Sequence, residues 1–198
     1  MAERYELSID PEKLYRVCVY LESLFEAYMA ERDTFADSIS WENGVFVFND
    51  LDDVDGCLVF RDGGKSFAGV LRNIGYYEEN ARKCRIKTET VFSRALDAEV
   101  RDDLGPEALG NMVVEYFHIA AAESGRGPLV TTAFWKDPDG VFSCDDPEEF
   151  ASLGGSFVTG ILLAGEEKIR SLFEEEFAPK AADFDERARA IYEAKIGA

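Results

Sequence analysis

The sequence predicts an α+β fold: an antiparallel β-meander and a later β-hairpin in one sheet, packed with an N-terminal helix, a central helix and C-terminal helices. Strand-like runs cluster around residues 45–71 and 129–144 and do not alternate with helices, which disfavours a doubly wound parallel sheet. Each cluster holds a tight-turn signal, Arg61-Asp62-Gly63-Gly64 in the first and Asp137-Pro138-Asp139-Gly140 in the second. Helical spacing of apolar residues marks the segments outside them. With no internal repeat and no low-complexity linker, residues 1–198 read as a single domain, with 166–198 a candidate C-terminal helical appendage.

Asp10-Pro11 opens the first helix, because an N-cap carboxylate accepts the free N–H groups and proline has the φ the first turn requires. Leu14, Val17, Cys18, Leu21, Leu24, Phe25 and Tyr28 then follow a helical stripe to about Ala30. Glu12, Lys13, Arg16, Glu22 and Glu26 occupy the other face, so a surface helix packed on a sheet is expected. Asn43-Gly44 precedes the β-rich run Val45–Phe48, and the loop Asn49–Gly56 leads into Cys57–Phe60. Glycine at 63 and 64 supplies the positive φ of the next turn, and Ser66–Leu71 is the third strand of the meander. Tyr76–Arg85 reads as a short helix or an ordered loop, and Glu89–Val100 as a helix.

After Gly105-Pro106, the residues Leu109, Met112, Val113, Tyr116, Phe117 and Ala120 trace the central helix, which Gly125–Pro128 breaks. Leu129–Trp135 and Val141–Cys144 flank the second turn as strands. Asp145–Glu149 has the composition of a helix N-terminus, where the dipole stabilises carboxylates, and Gly154-Gly155 ends that helix. Ser156–Ala164 is apolar and short, and β-branched Val158, Thr159 and Ile161 tilt it towards a strand. Glu166–Phe177 is a helix, Pro179 interrupts, and Ala181–Ile196 is the terminal helix.

Forty Asp and Glu oppose twenty-one Lys and Arg, a net charge of −19. A field of that sign keeps the chain soluble, repels nucleic-acid phosphates and accelerates the approach of a basic protein. Solubilisation alone is the competing reading. The aromatic content of 13% excludes an acidic disordered tail, in which aromatics are scarce. No apolar run approaches the ~20 residues a membrane helix requires, and the N-terminus lacks a basic-then-apolar signal pattern, so a cytoplasmic chain without membrane contact is expected. Cys18, Cys57, Cys84 and Cys144 contain no CxxC pair and, with the single His118, no zinc pattern. They are expected to be reduced and to act as small apolar residues.

Few motifs carry chemistry, and no cofactor or metal is expected. GxGxxG, GxxxxGK and GxSxG are absent, and Gly63-Gly64-Lys65-Ser66 belongs to a hairpin. His118 follows Glu115 by three residues on the central helix and reads as a histidine at the edge of the core. The loop Asp50–Gly56 places four carboxylates in six residues, but an EF-hand register anchored on Gly56 puts Leu51 at the first ligand position. A solvated loop is the better reading. Residues 61–101 reverse the overall balance, with nine Lys and Arg against six Asp and Glu. Those cations pair with the chain's own carboxylates or, at Arg82, Lys83, Arg85 and Lys87, form a small anion site.

These features point to an acidic binding protein, not an enzyme, that inhibits a basic protein partner by occlusion; a bacterial toxin-immunity protein is the most concrete case. The alternatives are an enzyme with a dispersed carboxylate and histidine site, a phage-type inhibitor or nucleic-acid mimic, and a non-catalytic adaptor subunit. The residues expected at the partner surface are Asp50, Asp52, Asp53 and Asp55 in the first acidic loop and Asp145, Asp146, Glu148 and Glu149 in the second. Trp135, just before the second turn, is the candidate aromatic anchor, with a buried role as the alternative.

Overall fold

The computed structural model describes residues 4–30, 39–42, 44–51, 53–76, 79–80, 82–84, 88, 109–112 and 130–197. Seven strands, β1 (Tyr5–Glu6), β2 (Ile39–Glu42), β3 (Val45–Leu51), β4 (Val54–Arg61), β5 (Ser66–Asn73), β6 (Thr132–Asp137) and β7 (Gly140–Ser143), form one sheet. Their order is β1-β7-β6-β5-β4-β3-β2, with every pairing antiparallel. The meander and the later hairpin are therefore joined, through β5 and β6, as an α+β fold requires. Strand β2, N-terminal to the first predicted strand, adds one edge, and β1 adds the other.

Both faces of the sheet are buried. One carries Phe46, Phe48, Val54, Leu58, Phe67, Leu71, Phe134 and Val141, packed against helix α1 (Pro11–Met29). The opposite face carries Val45, Val47, Cys57, Val59, Ala68, Val70 and Ala133, packed with Leu109, Met112 and Val130. Burial on both faces explains the uninterrupted buried run Val54–Val59 in β4. Gly56 belongs to this run because the Phe48 ring lies across it: a Cβ there would sit 2.6 Å from the ring.

Helix α1 starts as predicted, with Asp10 Oδ1 accepting the N–H groups of Glu12 and Lys13, both at 3.1 Å. It is not a surface helix. Val19, Ser23 and Ala27 are buried as well as the predicted stripe, because helices α3 (Glu166–Phe177) and α4 (Phe184–Ile196) cover the side away from the sheet. Phe25 meets the rings of Phe173 and Phe177, each at 5.0 Å, and Tyr20 meets Tyr192 at 5.6 Å. Ser23 Oγ donates to the Val19 carbonyl at 2.7 Å, which satisfies the hydroxyl inside the helix. Glu22 and Glu26, expected in solvent, receive Lys195 Nζ of α4 at 2.6 and 2.7 Å. Ile169, Phe173, Phe184 and Ala188 of the C-terminal helices belong to the same apolar cluster as α1 and the sheet.

A short helix α2 (Pro147–Phe150) begins at Asp146 as expected. The backbone breaks at Gly154, with φ of 112°, but Ser156–Ala164 is not a strand. It winds as a π-helical turn over Phe157–Ile161 and a 3-10 turn over Leu162–Ala164. Packing overrides β-propensity here: Phe157, Val158 and Leu162 are buried against the α1 face of the sheet, with Phe157 stacked on Phe48 at 4.9 Å. Thr159 returns its hydroxyl to the Gly155 carbonyl at 3.1 Å. Ala178 ends α3 in the left-handed conformation before Pro179, and α4 starts at Phe184, later than the predicted Ala181.

Within Tyr76–Arg85, the described residues 76, 79–80 and 82–84 are helical, as are 109–112 at the start of the predicted central helix. The predicted helix Glu89–Val100, the remainder of the central helix with His118, the breaker Gly125–Pro128, and Asp52, Arg85, Lys87, Arg94 and Arg101 lie outside the described residues.

Candidate functional site

The register of the β-ladder decides where the two acidic segments go. Leu51 at the end of β3 pairs with Val54 at the start of β4, and Val54 pairs with Asn73 at the end of β5. Leu71 pairs with Thr132 at the start of β6, and Phe134 pairs with Ser143 at the end of β7. The turn carrying Asp53 and the segment that follows Ser143 therefore leave the sheet at the same end. Three strand spacings separate β4 from β7, or about 14 Å at ~4.8 Å each.

The expected partner residues divide sharply at this end. Asp53 is exposed in the turn, with φ of 59°, a left-handed conformation that Asp tolerates better than most residues. Glu148 and Glu149 are exposed on α2, and Asp146 is half-buried, its Oδ1 accepting their N–H groups at 3.0 and 2.9 Å. Asp50 lies near the end of β3. Asp55 corrects the expectation of a solvated loop at Asp50–Gly56, because it is buried, and Asp145, at the helix N-terminus, is buried as well. Asp55 faces the second side of the sheet opposite Arg72, its partner in the β4–β5 ladder. Arg72 Nε donates to Asp55 Oδ2 at 2.7 Å, Nη2 donates to the same oxygen, and neither side chain is more than 2% exposed. Asp145 accepts the Thr132 hydroxyl at 2.7 Å, and its own N–H donates to Ser143 Oγ at 3.1 Å. A carboxylate committed to a buried arginine is not available to a cation or to a partner's surface.

Trp135 is not brought to this end. It pairs with Ala68 and Phe142, towards the hairpin turn of β6–β7, and packs half-buried against the second apolar cluster. An aromatic residue that does lie at the acidic end is Tyr76, which sequence reasoning did not single out as a contact. Its N–H donates to Asn73 Oδ1 at 2.8 Å, so Asn73 both closes β5 and caps the turn that carries the ring. Burial, reinforced by Cys84, Glu149 and Asp145, pushes the Tyr76 hydroxyl up from its ordinary value. The spacing Asn73-x-x-Tyr76 directly after a strand was the available signal.

Asp53, Asp146, Glu148 and Glu149 form no ion pair among the described residues, although Arg4, Arg170, Arg187, Arg189 and Lys195 each hold a carboxylate elsewhere. The acidic end is thus a set of charges stabilised by a helix start and a turn and left open towards solvent. The four cysteines carry no disulfide; Cys18, Cys57 and Cys84 are buried, and burial pushes the Cys18 thiol well up. Among the described residues, no group of three or more His, Cys, Asp or Glu is placed to hold a metal ion, and no helix is long and apolar enough to cross a membrane. A cleft of about 560 Å³ opens away from the acidic end, between β1, the β6–β7 hairpin and the start of α1, and Lys13 at its wall donates to the Leu163 carbonyl at 2.6 Å.

No family model matches the chain, and neither curated proteins nor solved structures give a significant match.

Proposed function

We propose that this chain is an acidic cytoplasmic binding protein that occludes the functional surface of a basic protein partner, acting in the manner of a bacterial toxin-immunity protein and not as a catalyst. One observation carries the reading: two acidic segments remote in sequence leave the sheet at one end, and their exposed carboxylates are not matched by cations of the described chain. Charges held this way attract a cationic surface over a Debye length and raise its encounter rate, while the same field repels nucleic acid. Tyr76 beside Glu149 supplies the kind of half-buried aromatic that anchors interfaces.

The test compares the wild-type chain with a variant carrying Asp53→Asn, Glu148→Lys and Glu149→Lys, each immobilised and exposed to a lysate of the native host. A single basic protein should be retained by the wild type at low salt and released as salt rises. That protein should associate with the variant at least tenfold more slowly. Equal association rates for the two chains at low salt would refute an acidic interface.

A further inference from the structure

The two acidic segments are tied to each other by one hydroxyl. Thr131 precedes β6 and is fully buried. Its N–H donates to the Leu71 carbonyl at 2.8 Å. Its Oγ1 accepts the N–H of Asn73 at 2.9 Å. The hydroxyl has one hydrogen and two carbonyls in reach, Leu153 at 2.6 Å and Leu71 at 3.0 Å. The hydrogen goes to Leu153, the shorter contact.

Each end of this bridge leads to one acidic segment. On one side, Asn73 is followed by Ile74, whose N–H donates to the carbonyl of Asp53 at 2.9 Å. On the other, Leu153 closes the helical segment that begins at Asp146, where the Phe150 N–H donates to the Asp146 carbonyl at 2.7 Å. Gly154, with φ of 112°, lets the chain turn directly after the Leu153 carbonyl and packs against Val54, whose Cγ1 a Cβ at 154 would approach to 3.3 Å. The line Asp53–Ile74–Asn73–Thr131–Leu153–Asp146 thus crosses from the first acidic segment to the second through three hydrogen bonds joined by short stretches of backbone.

We propose that the Thr131 hydroxyl is a positioning residue that holds the two acidic segments at one fixed spacing, so that a partner reads them as a single surface. The inference rests on the acidic end being the partner surface. Valine at 131 keeps the shape and removes the partner of the part-buried Asn73 N–H and of the buried Leu153 carbonyl. Serine keeps the hydroxyl and loses a methyl group.

Amide hydrogen exchange of the intact chain tests the coupling without a partner. The readouts are the exchange rates of Ile74 and Phe150, each divided by that of Val59 in the middle of β4, so that a uniform loss of stability cancels. In Thr131→Val both ratios should rise by roughly tenfold, the scale of one buried hydrogen bond lost, and Thr131→Ser should restore them. Unchanged ratios in Thr131→Val, a rise on one side only, or a rise that serine fails to reverse would overturn the clamp. The charge-reversed variant tests the partner surface separately: it can bind at wild-type rates while the clamp stands, and the clamp can fail while charge reversal still weakens association.

Discussion

At the hairpin end of the sheet, Asp137 is 3% exposed and is answered on every side. Arg4 Nη1 donates to it at 2.5 Å, the N–H groups of Asp139 and Gly140 donate at 2.8 and 3.2 Å, and the Arg4 guanidinium lies 4.4 Å from the centre of the Phe142 ring. At the opposite end Asp53, Glu148 and Glu149 stand in solvent with no cation among the described residues. Both ends are made of strand termini and tight turns, and both are acidic in sequence. The difference is burial: a carboxylate removed from water must be paired and hydrogen-bonded, while one left in water needs neither. Buried Asp137 is thus paired of necessity; exposed carboxylates are paired at some places, as at Asp139, Asp185 and Glu193, and at Asp53, Glu148 and Glu149 meet no cation among the described residues.

The largest effect should come from the ion pair beneath the acidic end. Arg72→Leu leaves the buried Asp55 carboxyl without its guanidinium, so a loss of about 3–5 kcal/mol is expected in urea denaturation. Replacing both, Asp55→Leu with Arg72→Leu, should recover part of that loss, because the ion pair is then removed as a unit. A loss under about 1 kcal/mol in the single variant would mean that burial does not divide the carboxylates in the way the two ends suggest.

Next come the devices particular to each end. Asp146→Ala removes the oxygen that caps α2 and should cost about 1 kcal/mol. Arg4→Ala should cost about as much, since Asp137 keeps its two backbone donors. Thermal denaturation of each variant, alone and combined, should give additive losses, because the two sites sit at opposite ends of the sheet. A clear coupling between them would show that the ends are not independent.

The outlines of both ends were legible in the sequence. Asp10-Pro11, Asp137-Pro138-Asp139-Gly140 and Asp146-Pro147 are local signals, completed within a few residues, and each forms as its chemistry requires. The fate of Asp55 was half legible. Alternation along Val54-Asp55-Gly56-Cys57 places it on the face of Cys57 and Val59, but whether that face is buried depends on residues 109–112, and its partner Arg72 depends on ladder register. The π-helical segment was not legible, because Val158 and Ile161 suit a strand locally and only the sheet beneath them selects a helix. The hidden side of α1 was missed for a related reason: Glu22 and Glu26 mark a solvent face until Lys195, far along the chain, is placed beside them.

That Glu22–Lys195 pair is intermediate between the two ends and gives a smaller, pH-dependent effect. Burial pushes the Glu22 carboxyl up from its ordinary value of 4.5, Lys195 pulls it back, and Glu26 adds to the rise. A raised folded value means that the folded chain holds this proton more tightly than the unfolded one. Its contribution to stability is thus fully present below pH 4.5 and is lost as pH rises through the folded value. The amino group of Lys195, also raised, stays protonated throughout that window. In urea denaturation between pH 4 and 7, Glu22→Gln should lose stability with rising pH less steeply than the wild type, or gain it more steeply. Parallel pH profiles would show that Glu22 behaves as a solvated carboxylate of the open end.

The smallest effect on stability should come from the open charges themselves, and it is the one that separates the two ends functionally. Glu148→Lys with Glu149→Lys alters side chains that touch no cation among the described residues and leaves their backbone N–H groups on Asp146. Lysine in the first turn of α2 opposes the helix dipole, but so short a helix limits that cost to about 0.5 kcal/mol. Stability should therefore hardly change. Removing Arg4 at the hairpin end changes the net charge by only one and leaves the acidic end intact, so it should leave association with a lysine-rich peptide near the wild-type rate. Reversing Glu148 and Glu149 changes the local charge by four and should slow that association, with the difference shrinking as ionic strength rises from about 0.01 M to 0.15 M and the Debye length falls from about 30 to 8 Å. If both variants associate alike at low salt, the peptide does not sense the charges at 148 and 149. The acidic end would then have no more claim to a partner than any other part of the surface.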